Sequence, residues 1–279
     1  RLNVYAGMAG FYFVRDDQDT GQPNNPLGLP AYPYELAYAI QDRMFYDDGR
    51  LFYPSFQPDP FWVDFITPAA EANMAASGDF GTPPNLGPSA LAEFFGDHMI
   101  VNGKIWPTAT TDNQPGVEPR HYRMRLLNGC DSRFLAIRFR PARNQASTDL
   151  QGAGRPIPFW VIGSDQGLAS AATEVDTLII APGERYDIVV NFAGLAGQRV
   201  IMENIANDAP FAGNPRGSRA GTFTNRQTDR VMAFDVALPL SEIADNFAPA
   251  NIGSAAPIVP GTPSNTRQVA LFEGMDEYG

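Results

Sequence analysis

Polar and apolar residues alternate along HYRMRLLN, residues 121–128, so that Tyr122, Met124 and Leu126 fall on one side and Arg123 and Arg125 on the other. That period of two is the signature of a half-buried β-strand. The stretch ELAYAIQDRMFYDDGRLFYP, beginning at residue 35, alternates through Leu36, Tyr38 and Ile40, turns at Asp47-Asp48-Gly49 and resumes at Leu51-Phe52-Tyr53. This predicts a hairpin. HMIVNGKIWP sets Asn102-Gly103 between two apolar runs and carries the strongest hairpin signal in the chain. Further strands read from RFLAIRF, FWVIG, DTLIIAP, RYDIVVNF, RVIMENI and RVMAFDV, most of them bounded by Gly, Pro, Asn or Asp. With many short strands and no convincing long amphipathic helix, the pattern predicts an all-β Greek-key sandwich.

The two ends read differently from this middle. NVYAGMAGFYFVRD holds an aromatic and β-branched run over 10–16, which predicts a strand with no strand before it and a linker-like, Gly- and Pro-rich stretch after it. Residues 54–90, rich in Pro, Ala, Gly and Phe, predict a long loop with one helical turn at TPAAEANMAAS. A second Pro- and Ala-rich linker spans 239–265, after which RQVALFEGMDEYG begins another strand. Both terminal strands are apolar enough to need a pairing partner, because unpaired edges invite aggregation.

Composition narrows the function. In 279 residues, 44% are hydrophobic and 11% aromatic, which is ample for a packed core. The net charge of −11 and scattered arginines repel phosphate backbones and acidic partners, so nucleic-acid binding is excluded. No apolar run approaches the roughly 20 residues that span a bilayer as a helix. A single cysteine, Cys130, allows no internal disulfide and leaves the redox compartment open. The first residue is arginine, so targeting information is missing rather than absent.

Candidate chemistry is sparse. A type 1 copper centre needs a thiolate with two imidazoles, and a trinuclear cluster needs paired H-x-H ligands. His98 and His121 are the only imidazoles, and Cys130, in NGCDSR, has no histidine after it. All three read as structural or solvated groups. Asp165, between glycines in GSDQG, reads as a solvated turn, and Glu184 and Asp187 in APGERYD read as turn and strand-start chemistry. There is no G-x-S-x-G elbow and no P-loop. From its residues alone, the middle of the chain is a catalytically empty sandwich with no metal ligands.

Taken in order, however, RLNVYAGMAGFYFVRD, LAYAIQDRMFYDDGRLFYP, GDHMIVNGKIWP, YRMRLLNGCDSRFLAIRF, VIGSDQGL, LIIAPGERYDIVVNF and the terminal DEYG resemble multicopper oxidases of the bacterial laccase and bilirubin-oxidase type. The resemblance implies a cupredoxin-like Greek-key fold. It assigns 1–18 to the last strand of cupredoxin domain 1, 19–33 to a linker, 34–238 to a copper-free domain 2, 239–265 to a second linker and 266–279 to the first strand of domain 3. It implies a parent oxidase carrying type 1 copper and a trinuclear cluster, with domains 1 and 3 as partners, a small aromatic electron donor and dioxygen as substrates, and an extracytoplasmic location, periplasmic or secreted. The fragment alone is then expected to bind no copper and to be inactive, with no catalytic residue of its own.

The same resemblance places one wall of the donor pocket on this chain: Phe94, Phe95 and Gly96 before the Asn-Gly hairpin, Ser132 in CDSR, and the loop at Asn207 and Asp208. Some relatives have a disulfide-bonded cysteine at the Phe95 position, a staple that is absent here. The alternative for Phe94 and Phe95 is a plain core role. For the chain as a whole, the alternative is a copper-free sandwich that binds or braces without enzyme activity.

Overall fold

The computed structural model describes residues 2–52, 95–208, 211–213, 227–253 and 261–270. The chain divides into two units, Arg1–Phe52 with Phe95–Ser254, and Tyr53–Phe94 with Ala255–Gly279. Of the second unit only 261–270 is described, without regular secondary structure. The expected loop at 54–90 lies outside the described residues, as does most of the expected last strand.

The first unit is nearly all β, a cupredoxin-like sandwich of two sheets. Its larger sheet has seven strands in the order β3 (Lys104–Ile105), β2 (His98–Val101), β1 (Glu35–Arg43), β6 (His121–Asn128), β11 (Arg185–Asn191), β8 (Phe159–Ser164) and β9 (Gly167–Val175). The smaller sheet runs β10 (Leu178–Ile180), β7 (Leu135–Pro141), β12 (Arg199–Asn204) and β13 (Arg230–Asp235). A separate small ribbon pairs β4 (Thr110–Thr111) with β5 (Gln114–Pro115). The only helical pieces among the described residues are α1 (Leu2–Tyr5) and a 3-10 turn at Pro249–Asn251.

The expected strands and turns explain this layout. Asn102 and Gly103 take φ of 50° and 80°, the left-handed pair that a two-residue hairpin requires, and Val101 faces Lys104 across it. Asn102 also anchors the hairpin to β1, its Oδ1 accepting from Ala39 N at 2.9 Å and its Nδ2 donating to Ala37 O at 2.8 Å. The turn at 47–49 forms as well, with Phe45 bridged to Leu51. Tyr38 and Ile40 from β1, Met124 and Leu126 from β6, and Ile188 and Val190 from β11 then meet Phe139, Met202 and Phe234 from the other sheet in one buried core.

Two expectations are corrected, and a third stretch is packed more closely than its composition suggests. Residues 10–16 form no strand, and among the described residues no strand pairs with them; Tyr12 and Val14 are exposed. Residues 19–33 have a linker's composition but lie packed, with Leu27 and Leu29 joining Ile162, Val189, Phe247 and Ile252 in a second cluster. This covers the outer side of β11, whose consecutive Ile188-Val189-Val190 is apolar toward both faces. Finally, Arg123 and Arg125 do not face water. Arg123 is 1% exposed and its guanidinium binds Asp187 at 2.6 Å and Asp19 at 2.7 Å, while Arg125 Nε reaches Glu35 at 2.7 Å. Arg15 adds bonds to Glu35 at 2.6 Å and Asp19 at 3.0 Å. Asp187 is therefore a buried ion-pair member rather than turn chemistry.

Candidate functional site

Two buried asparagines shape the turns around the site. Asn128, at the end of β6, donates Nδ2 to Arg133 O at 2.8 Å and Ile180 O at 2.9 Å, and its Oδ1 accepts from Cys130 N at 3.0 Å. That fixes the NGCDSR turn. Asn204, at the end of β12, does the same for the next loop, accepting from Ala136 N at 2.9 Å and Ala206 N at 3.1 Å and donating to Thr228 O at 3.0 Å. Each side chain replaces backbone partners that the strand ends leave open.

Between these turns stands Arg133, whose side chain is wholly removed from solvent. Its Nε donates to Asp42 Oδ2 at 2.9 Å, Nη2 to Gly96 O at 2.7 Å, and Nη1 to Asn207 O at 3.1 Å and to Asp208 Oδ1. The guanidinium carbon lies 5.4 Å from the centre of the Phe95 ring. Asp42 Oδ2 also accepts from Gly96 N at 2.8 Å, and Asp208 Oδ1 from Thr228 Oγ1 at 2.7 Å. Burial alone would lower the Arg133 pKa; the charges of Asp42 and Asp208 outweigh it and hold the guanidinium above its ordinary value. One planar fork thus ties together strand β1, the 95–96 segment and the 207–208 loop, a geometry that a lysine ammonium cannot supply.

Gly96 is required by space. A Cβ there would lie 2.4 Å from Arg43 N and 2.7 Å from its carbonyl carbon. Four of the six residues expected in the pocket wall, Phe95, Gly96, Asn207 and Asp208, are therefore gathered on one arginine. Ser132 adjoins it in sequence and donates to Asp131 Oδ2 at 2.8 Å. Phe94 lies outside the described residues. Sequence reasoning did not single out Arg133, Asp42 or Thr228: Asp42 and Arg133 stand in the sequence as single charges beside apolar runs, 91 residues apart, with nothing that pairs them.

The possible copper ligands do not fit a copper centre. Burial pushes the Cys130 thiol well above its ordinary value, with Asp42 adding to the effect, and Sγ lies 3.9 Å from Ile40 O. Such a thiol resists becoming the thiolate that copper needs. His98 Nδ1 is 2.5 Å from Asp97 and His121 Nδ1 is 3.0 Å from Asp245. Among the described residues no group of three or more His, Cys, Asp or Glu side chains is placed to hold a metal ion. Asp165 and Glu184 keep the turn roles expected of them, accepting from Arg185 N at 2.8 Å and Ala181 N at 2.6 Å.

Comparison with known proteins decides the family. The chain is 30% identical over 280 residues to a laccase of Bacillus subtilis, a match covering 100% of this chain and 43% of the relative. It is 32% identical over 255 residues to the bilirubin oxidase of Albifimbria verrucaria, covering 90% of this chain and 34% of that protein. This chain is a member of the laccase-type multicopper oxidase family. It spans less than half the length of these curated relatives. Among solved structures, a variant of the multicopper oxidase McoA from Aquifex aeolicus superposes with a TM-score of 0.60 at 23% identity, over 92% of this chain and 43% of the other. That likeness bears on the fold, which these multicopper oxidases share with the chain. No protein-family model matches the chain.

Proposed function

We propose that this chain is the central part of a laccase-like oxidase that takes single electrons from phenolic, aminophenolic or bilirubin-like donors and reduces dioxygen to water. The observation that carries the reading is the end-to-end match of the chain to a laccase. In it, type 1 copper and the trinuclear cluster reside on cupredoxin domains 1 and 3, which flank this segment: 1–18 completes domain 1, 34–238 is domain 2 and 266–279 opens domain 3. Copper supplies the one-electron chemistry there, and no step of it runs through the residues described above. Their part is positional. Arg133 holds the segment at Phe95 and Gly96 and the loop at Asn207 and Asp208 in fixed register, as one wall against which an aromatic donor rests. The whole oxidase works outside the cytoplasm.

The 279-residue chain alone neither binds copper in stoichiometric amount nor oxidises phenols. Copper content and phenol oxidation, measured on this chain and on the product of the uninterrupted reading frame, test both statements. The expected result is copper and activity in the longer protein only. A longer protein without copper or turnover would leave a copper-free binding or bracing sandwich instead, and tightly held copper in the 279-residue chain would overturn the ligand assignment.

A further inference from the structure

The chain enters the sandwich along 24–34, ahead of β1, and leaves it along 241–253, after β13, and neither connector belongs to a strand. Both have the composition of linkers, and flexible linkers let what they carry move freely. Here they meet on one residue. Arg120, just before β6, is 3% exposed. Its guanidinium carbon lies 3.7 Å from the centre of the Tyr34 ring, on the entering connector. From the leaving connector it takes two oxygens, Nη1 donating to Ser241 Oγ at 3.2 Å and Nη2 to Ala244 O at 3.0 Å.

Glu118 joins the same two connectors. Its Oε1 accepts from Tyr34 Oη at 2.9 Å and its Oε2 from Ser241 N at 3.0 Å, while Ser241 Oγ stands 2.5 Å from Tyr34 Oη. One residue beyond Arg120, His121 N donates to Asp245 Oδ2 at 3.0 Å. The connectors also touch each other directly. Asn251 Nδ2 donates to Leu27 O at 3.2 Å, and Gly28, at φ 65°, comes so near the leaving backbone that a Cβ would lie 2.5 Å from Asn246 O. Both the left-handed φ and the close approach of two backbones call for glycine there.

We propose that Arg120 is a clamp that locks the leaving connector onto the entering one, so that the sandwich holds whatever the two connectors carry at one fixed separation. A face that stacks and an edge that donates to two acceptors belong to a planar guanidinium, and a lysine ammonium has neither. The clamp is built entirely from this chain. That the connectors carry copper-bearing domains rests on the function proposed above, and in that setting Arg120 is a positioning residue, acting through the two connectors.

The test places spin labels at Asn24→Cys and Glu242→Cys, one exposed site on each connector, and reads the distance distribution between them; Cys130 is buried and stays unlabelled in the folded chain. A second pair, Lys104→Cys with Glu174→Cys on β3 and β9, reports the sandwich itself. In the parent both distributions are expected to be narrow. Arg120→Met should widen the first at least twofold and leave the second as it was. Ser241→Ala removes the hydroxyl shared by Tyr34 and Arg120; it should widen the first to a lesser degree, and it keeps the proposal testable if Arg120→Met does not fold. A broad first distribution in the parent, an unchanged one in either folded variant, or widening of both pairs together would each overturn the clamp. The same labels in the product of the uninterrupted reading frame report the clamp whether or not that product holds copper, so loss of the oxidase reading and loss of the clamp are read separately.

Discussion

Arg133 Nε lies 2.9 Å from Asp42 Oδ2, with both side chains fully removed from solvent. A buried pair of this kind is a poor stabiliser against an apolar replacement of both partners, yet breaking it from one side strands the other charge. Arg133→Met leaves Asp42 and Asp208 buried without their cation. We expect a loss of about 3–5 kcal/mol. The urea midpoint measures it, and a loss below about 1 kcal/mol would mean that the three groups are not held as described. Arg133→Lys recovers only part of the loss, since an ammonium cannot span four acceptors arranged around a plane.

Gly96→Ala tests the close approach of the 95–96 segment to β1. The methyl would press on Arg43 backbone, which cannot rotate out of the way, and overpacking of that kind costs about 1–3 kcal/mol. Gly10→Ala is the matched control: nothing lies within 4 Å of its Cβ position and its φ is ordinary, so thermal stability should change by less than about 0.5 kcal/mol. Equal effects of the two substitutions would contradict the contact.

Phe95 is 8% exposed and packs beneath the Arg133 guanidinium. Phe95→Ala is accordingly expected to cost about 3–5 kcal/mol, the range for a buried ring. In the whole oxidase it should also change KM among donors of different size, while copper content and the oxidation of chemically reduced enzyme by dioxygen stay at the parental level. A large stability loss with unchanged donor preference would remove Phe95 from the wall and leave it in the core.

How much of this was legible beforehand depended on whether a neighbour was local. The Asn102-Gly103 hairpin and the turn at 47–49 are set by residues next to one another, and both formed where the sequence placed them. The alternation in HYRMRLLN located β6 correctly, but period two reports only that the faces differ, not what covers the second. The cover on Arg123 and Arg125 comes from residues 15–35, whose polar, Pro-rich composition resembles a solvated linker. Likewise Phe95, Gly96, Asn207 and Asp208 were grouped by resemblance alone. Arg133, which joins them, appeared as one arginine among many, because a buried ion pair leaves no periodic trace.

Asp19 gives the fold an acid limit. Burial by itself would raise its carboxyl, but the hydrogen bonds and charge of Arg123, with Arg15 and Arg125 behind them, outweigh it and hold the pKa at about 2. A carboxyl lowered in the folded state contributes stability that is complete above its unfolded pKa, near 4, and is lost as pH falls through about 2. The contribution is on the order of 2 kcal/mol. Asp19→Asn should lower stability at pH 7 and flatten the decline between pH 4 and 2, read from denaturation midpoints across that range. An acid limb of parental steepness in this variant would assign the proton uptake elsewhere.

The ion network also has a consequence in time. Asp19 is separated from Arg123 by 104 residues, Glu35 from Arg125 by 90, and Arg123 from Asp187 by a further 64. A ribosome releases the first carboxylates long before their arginines, and the arginines long before the last carboxylate. For that interval each charge is held only by water and salt. The parallel pairing of β1 with β6 is under the same delay, and the other edge of β6 stays unpaired until β11 arrives. Folding of this domain is thus a late, non-local event that waits for most of the chain, slow by topology rather than by any weakness of its core.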